Sequence, residues 1–156
     1  MITQEDKELL FNDLCARLLY KPLISAPAFS KNPVLLKGIE VTDDGYNDYQ
    51  IYVEGIGNLF VSADDIKPYL RLMSSMTEDE RVFVNKTFFS ESDNFMIDDV
   101  GEMFTESQPY ETIYTLSLKI QSEYFNWLNA NFFDYRGLIK KGLAIEISTA
   151  DKNKEQ

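Results

Sequence analysis

Leu10, Leu14 and Leu18 recur at intervals of four, flanked by Phe11 and Cys15, which marks one apolar stripe along a helix. Thr3 stands where an N-cap belongs, its side-chain oxygen able to satisfy an amide of the first turn. Glu5 and Asp6 suit the positive end of the helix dipole. The spacing therefore predicts a helix over residues 4–19. Pro22, Pro27 and Pro33 then interrupt regular structure, so residues 20–33 read as a connector, too short and too apolar to link domains. From Val34 the period changes to that of strands. Tyr49, Ile51 and Val53 alternate with Gln50, Tyr52 and Glu54, the pattern of a half-buried strand. Turns are predicted at Thr42-Asp43-Asp44-Gly45 and Gly55-Ile56-Gly57-Asn58, giving an antiparallel meander over residues 34–61.

Asp64-Asp65-Ile66-Lys67-Pro68 predicts a short helical turn with acids at its start. Thr77 and Glu80 form a capping box, so a helix is expected from there to about residue 88. Residues 90–110 mix acids with apolar pairs and read as a loop with one helical turn. Ile113, Leu116, Ile120, Tyr124, Trp127 and Leu128 recur at three or four, predicting a long helix over residues 111–131. Gly137 breaks the chain, a turn follows at 138–141, and residues 143–147 can form a last strand. The fold class expected is α+β: a small antiparallel meander packed by an N-terminal helix and a long C-terminal helix. Residues 1–150 are read as one domain and 151–156 as a polar tail.

Composition supports a packed core. Of 156 residues 44% are apolar, with 11 Phe and 9 Tyr, so the chain has ample material to bury. No apolar stretch approaches the roughly 18–20 residues of a membrane span, and the polar, acidic N-terminus lacks the features of a signal peptide. A cytoplasmic location is expected. Cys15 is the only cysteine; it cannot close an internal disulfide, and its place on the apolar stripe predicts burial. The chain has no histidine, which removes His-dependent triads, Cys–His nucleophiles and HExxH zinc sites. No cofactor and no metal are expected.

The net charge of −11 is concentrated in one region. Residues 38–116 hold 17 acids against four basic residues, whereas the flanking segments are each +1. Such a field repels nucleic acid and anionic membrane, so neither is expected as a direct partner. It suits either a solvated acidic surface or one that meets a basic protein partner. A sharper variant of the second is an acidic mimic of DNA that occupies a DNA-binding protein.

Four carboxylates, Asp98, Asp99, Glu102 and Glu106, would share a face if their segment were helical. Paired carboxylates do acid–base work only when burial separates their pKa values. Nothing in the sequence encodes that burial, so a partner surface is the first reading and a carboxylate-dependent enzyme the alternative. The turn Asp43-Asp44-Gly45-Tyr46-Asn47-Asp48 lacks the alternating ligands and distant Glu of a calcium loop. Trp127 with Tyr135 and Arg136 could form an aromatic and cationic surface, although helical spacing favours a core role for Trp127. Asp134 and Arg136 flank Tyr135 beside Gly137, where an ion pair could fix the corner or Arg136 could anchor a ligand.

Two segments carry a resemblance. The first is Asp65-Ile66-Lys67-Pro68-Tyr69-Leu70-Arg71 followed by Met73-Ser74-Ser75-Met76-Thr77. The second is Trp127-Leu128-Asn129-Ala130, then Phe133-Asp134-Tyr135-Arg136-Gly137-Leu138-Ile139 and Lys141-Gly142-Leu143-Ala144. With the opening helix they resemble an uncharacterised family of small proteins from gut Bacteroidales and their phages and mobile elements. Members of that family often carry two histidines where this chain has Asn131-Phe132. The resemblance implies no activity, and its mobile-element setting favours a regulator or inhibitor of a host protein. The function expected is a non-enzymatic interaction protein acting on a host or phage protein.

Overall fold

A computed structural model describes residues 2–89, 96–97, 103–104 and 117–147. The chain divides into two compact units, one of residues 1–70 and 136–148, the other of residues 71–135 and 149–156. Among the described residues no helix is long and apolar enough to cross a membrane.

The first unit opens with helix α1, Gln4–Arg17, which Thr3 caps by accepting a hydrogen bond from the Asp6 amide at 3.1 Å. A short 3-10 turn, Leu18–Tyr20, continues it. The strands are β1 (Leu23–Ser25), β2 (Val34–Val41), β3 (Tyr49–Val53), β4 (Gly57–Val61), β5 (Lys67–Leu70) and β8 (Ile145–Glu146). They form one sheet in the order β4-β3-β2-β1-β5-β8, antiparallel throughout except for the parallel β5–β8 pair. The α+β class and the β2–β3–β4 meander are as expected, but the sheet is larger than the sequence suggested. The supposed connector contains β1, and a 3-10 turn at Ala63–Asp65 gives way to β5 where a helical turn was expected. Pro68 fits this strand because it pairs with Ile24 on β1, while β8 joins only from Tyr69 onwards.

The buried stripe of α1 is Leu10, Asp13, Leu14 and Arg17. Leu18 is only half-buried and Cys15 is exposed, which corrects the expected burial of the thiol. The stripe is rotated because its last turn buries an ion pair rather than a hydrocarbon. Partial desolvation still pushes the Cys15 thiol pKa up, so it is held in its unreactive protonated form.

The second unit contains α2 (Glu78–Phe88), the two-stranded β6 (Met96–Ile97) and β7 (Met103–Phe104), and α3 (Leu118–Ala130). The expected capping box is present: Thr77 Oγ1 accepts from the Glu80 amide at 3.2 Å, and the Thr77 amide donates to Glu80 at 2.9 Å. α3 starts later than its periodicity suggested, because Ser117 adopts an extended backbone and caps the Ile120 amide at 3.3 Å. The earlier part of that expected helix, residues 111–116, lies outside the described residues. Tyr124, Leu128, Val84, Phe89 and Phe133 form the core of this unit. Arg71 is buried beside it, donating twice to Glu80 at 2.9 and 2.8 Å, with its guanidinium carbon 4.1 Å from the Phe133 ring centre. That stacking stabilises a cation that water cannot reach.

Candidate functional site

The connection between β2 and β3 is built rather than loose. Asp44 Oδ1 accepts from the amides of Tyr46 and Asn47, both at 2.8 Å, and Oδ2 accepts from the Asn47 side chain at 3.1 Å. These donors hold the Asp44 carboxyl below the usual carboxylate range. Gly45, at φ +82°, supplies the left-handed turn this loop needs. Tyr46 is thereby presented at the tip, 90% exposed.

Asp48 ties this end of the sheet together. Its Oδ1 pairs with Lys7 of α1 at 2.8 Å, and its Oδ2 accepts from the Ala63 amide at 2.8 Å. Burial alone would raise its pKa, but the Ala63 amide and Lys7 outweigh it and the carboxyl is held low. Next to it, Tyr49 stacks on Phe11 of α1 with ring centres 5.7 Å apart. The Tyr49 hydroxyl donates to the Lys7 carbonyl at 2.6 Å. Burial, with the negative charges nearby as a lesser cause, pushes its pKa up to about 12.

A groove of about 460 Å³ runs between α1 and the β2–β3 connection, lined by Lys7, Glu8, Phe11, Thr42, Asp48 and Tyr49 among others. Two of its polar groups are committed. Both Asp48 oxygens have partners, and the Tyr49 hydroxyl is neutral and bonded to a backbone carbonyl. Neither of these two is poised to exchange a proton with a substrate near neutral pH.

The Asp43–Asp44 turn lies at this end of the sheet, where Tyr49 pairs with Val61. Asp64 and Asp65 follow in the 3-10 turn and line a separate pocket with Ser25, Pro27, Ala28 and Lys67. Residues 38–66 contain seven acids and no Lys or Arg. Asp48 is paired with Lys7, and Glu54, at the opposite end, with Lys37 at 3.6 Å. Among the described residues Glu40, Asp43, Asp44, Asp64 and Asp65 have no ion pair.

The other candidate residues fall elsewhere. Asp98, Asp99, Glu102 and Glu106 lie outside the described residues. Trp127 is half-buried, stacked on Phe133 at 5.5 Å and tilted against Phe83 at 5.9 Å. Tyr135 is half-buried too; its hydroxyl donates to Asn129 at 2.9 Å and its ring lies 5.1 Å from Phe125. Arg136 donates to Asp13 of α1 at 2.9 Å, a distant partner that the local Asp134–Arg136 reading did not anticipate. The same Asp13 carboxylate receives Arg17 Nε and Nη2, each at 2.9 Å, and both residues are wholly buried. Among the described residues no group of three or more His, Cys, Asp or Glu is placed to hold a metal. Asp13 and Arg17 were not singled out from the sequence; their place beside Leu10 and Leu14 on one helical face, four residues apart, was the available signal.

By fold the chain is an α+β protein with an acidic, preorganised sheet end. Comparison with protein-family models, with curated proteins and with solved structures finds no match.

Proposed function

We propose that the protein is a non-enzymatic interaction module that docks a basic protein partner through the acidic end of its sheet. The observation that carries this reading is the turn that presents Tyr46, 90% exposed, beside Asp43 and Asp44, neither of which has an ion pair among the described residues. An aromatic anchor on a loop held by its own hydrogen bonds loses little freedom on binding. Carboxylates around it supply the field that steers a cationic partner. The resemblance to phage and mobile-element proteins suits a target in the host or in a competing phage.

The test is the variant with Asp43 changed to Lys and Tyr46 to Ser, compared with the native chain in capture of proteins from host lysate. Native capture should weaken as salt is raised, and the variant should lose the same proteins at low salt. Unchanged capture by a folded variant would refute the reading. If DNA displaces the captured protein, the surface works by imitating DNA.

A further inference from the structure

Tyr49, Ile51 and Val53 are the buried set of β3, so its other face carries Gln50 and Tyr52. Pairing puts Gly38 of β2 and Asn58 of β4 on either side of Tyr52, and Glu40 of β2 beside Gln50. Glycine weakens a strand interior, because it has no side chain to pack. Here neither backbone nor crowding demands it. Gly38 lies outside the left-handed region, and a Cβ added to it would meet that of Tyr52 at 3.4 Å, a van der Waals contact. What the missing side chain leaves is a recess of about 190 Å³, lined by Gly38, Glu40, Gln50, Tyr52 and Asn58 among others.

We infer that this recess receives an arginine side chain of the protein partner. Its lining matches a guanidinium group by group. Glu40 supplies a carboxylate with no ion pair among the described residues, able to accept two parallel N–H bonds. The Gln50 and Asn58 amides offer further acceptor oxygens. The Tyr52 ring, 48% exposed, is a face on which a planar cation stacks. None of the lining residues is cationic, and Lys37, next to Gly38, is engaged by Glu54 at 3.6 Å, so an anionic ligand finds no counterpart here. The Glu40–Gln50 pair adjoins Val41–Tyr49, where the chain leaves for the Asp43–Asp44 turn, so one partner segment can reach both. The inference rests on the basic-partner reading above and adds to it a residue that the partner must carry.

Short blocked peptides of sequence Gly-Thr-Arg-Thr-Gly test it, with a second peptide carrying citrulline for arginine. Citrulline keeps the planar shape and loses the charge. Each is titrated into the full chain while its NMR chemical shifts are followed. The arginine peptide should move signals of residues 38–40, 50–52 and 58. The citrulline peptide should bind about tenfold more weakly, the effect of losing a hydrogen bond to a charged group. Glu40→Gln in the protein should weaken the arginine peptide by a similar factor, and Gly38→Ala, which fills the floor of the recess, should weaken it too. Glu40 is exposed, so its variant keeps the test decisive even if Gly38→Ala does not fold. Equal affinity for the two peptides, or binding unchanged in Glu40→Gln or in a folded Gly38→Ala, would overturn the recess. So would shifts confined to residues 42–48, or no shift at all with the arginine peptide. Those results leave the acidic-turn reading standing, which fails instead on unchanged capture by the folded Asp43→Lys, Tyr46→Ser chain.

Discussion

Replacing Asp13 by Asn should destabilise the first unit severely, because it removes the counter-charge of a guanidinium that water cannot reach. Arg17 is 0% exposed and donates twice to Asp13, which also accepts from Arg136. The Asn amide can accept through one oxygen only, and its NH₂ points donors at donors. Removing one member of a buried ion pair costs about 3–5 kcal/mol, since the other charge is left uncompensated. Against a total stability of about 5–15 kcal/mol this is a large fraction. At roughly 2–4 °C per kcal/mol for a chain of this size, the midpoint should fall by about 6–20 °C. Arg136 provides the internal control. Its side chain is 25% exposed, so Arg136→Met leaves no stranded charge and should cost about 1–2 kcal/mol.

The decisive measurement is a double-mutant cycle by urea unfolding with Asp13→Leu, Arg17→Met and the pair together. The double variant replaces both charges by hydrocarbon and should recover most of the single-variant loss, since such replacements are often neutral or better. A cost for Asp13→Asn below about 0.5 kcal/mol, the usual scale of surface changes, would refute the account of a closed ionic core. So would strict additivity in the cycle.

Further outcomes follow from other sites. Trp127→Ala should cost about 2 kcal/mol rather than a full core value, because the ring is half-buried, while Phe133→Ala should cost about 3–5 kcal/mol; thermal unfolding compares them. Tyr49 has a folded pKa near 12, above its ordinary 10, so its contribution to stability is complete below pH 10 and lost as pH rises towards 12. Absorbance at alkaline pH should show equal numbers of tyrosines ionising before unfolding in the native chain and in Tyr49→Phe, because the residue removed is not among those that ionise. Phe132 holds a left-handed φ of 60° at the end of α3, so Phe132→Gly should relieve about 1 kcal/mol of backbone strain, offset by the packing it loses.

Local signals were the most legible. Thr3 and the Thr77–Glu80 box located both helix starts, since capping depends on residues a few positions apart. The β3 alternation was equally clear, because one face of that strand is buried and the other is not. What escaped were elements set by distant pairing. β1 and β5 are short, contain or adjoin prolines, and exist as strands because they pair with each other, β1 also with β2 and β5 with β8. The candidate surface was legible only in charge. That residues 42–48 and Val61 share an end follows from the β3–β4 register, which no window of sequence displays.

Several residues of segments 65–77 and 127–144 are fold determinants. Arg71, from the first block, sits over Phe133, from the second, and exchanges backbone bonds with that segment: its amide donates to the Phe132 carbonyl at 2.8 Å, and the Asp134 amide donates to its carbonyl at 2.7 Å. Asn129 holds the Tyr135 hydroxyl, Arg136 reaches Asp13, and Gly137 takes a φ of +78°. Each role demands a particular side chain or backbone, so these segments serve the fold. The candidate partner surface stands apart from them: Tyr46 and the Asp43–Asp44 turn precede residue 65. On that argument, Tyr46→Ser should weaken capture of a partner and leave the unfolding midpoint nearly unchanged, whereas Arg71→Met or Arg136→Met should lower the midpoint, since these side chains hold Glu80 and Asp13.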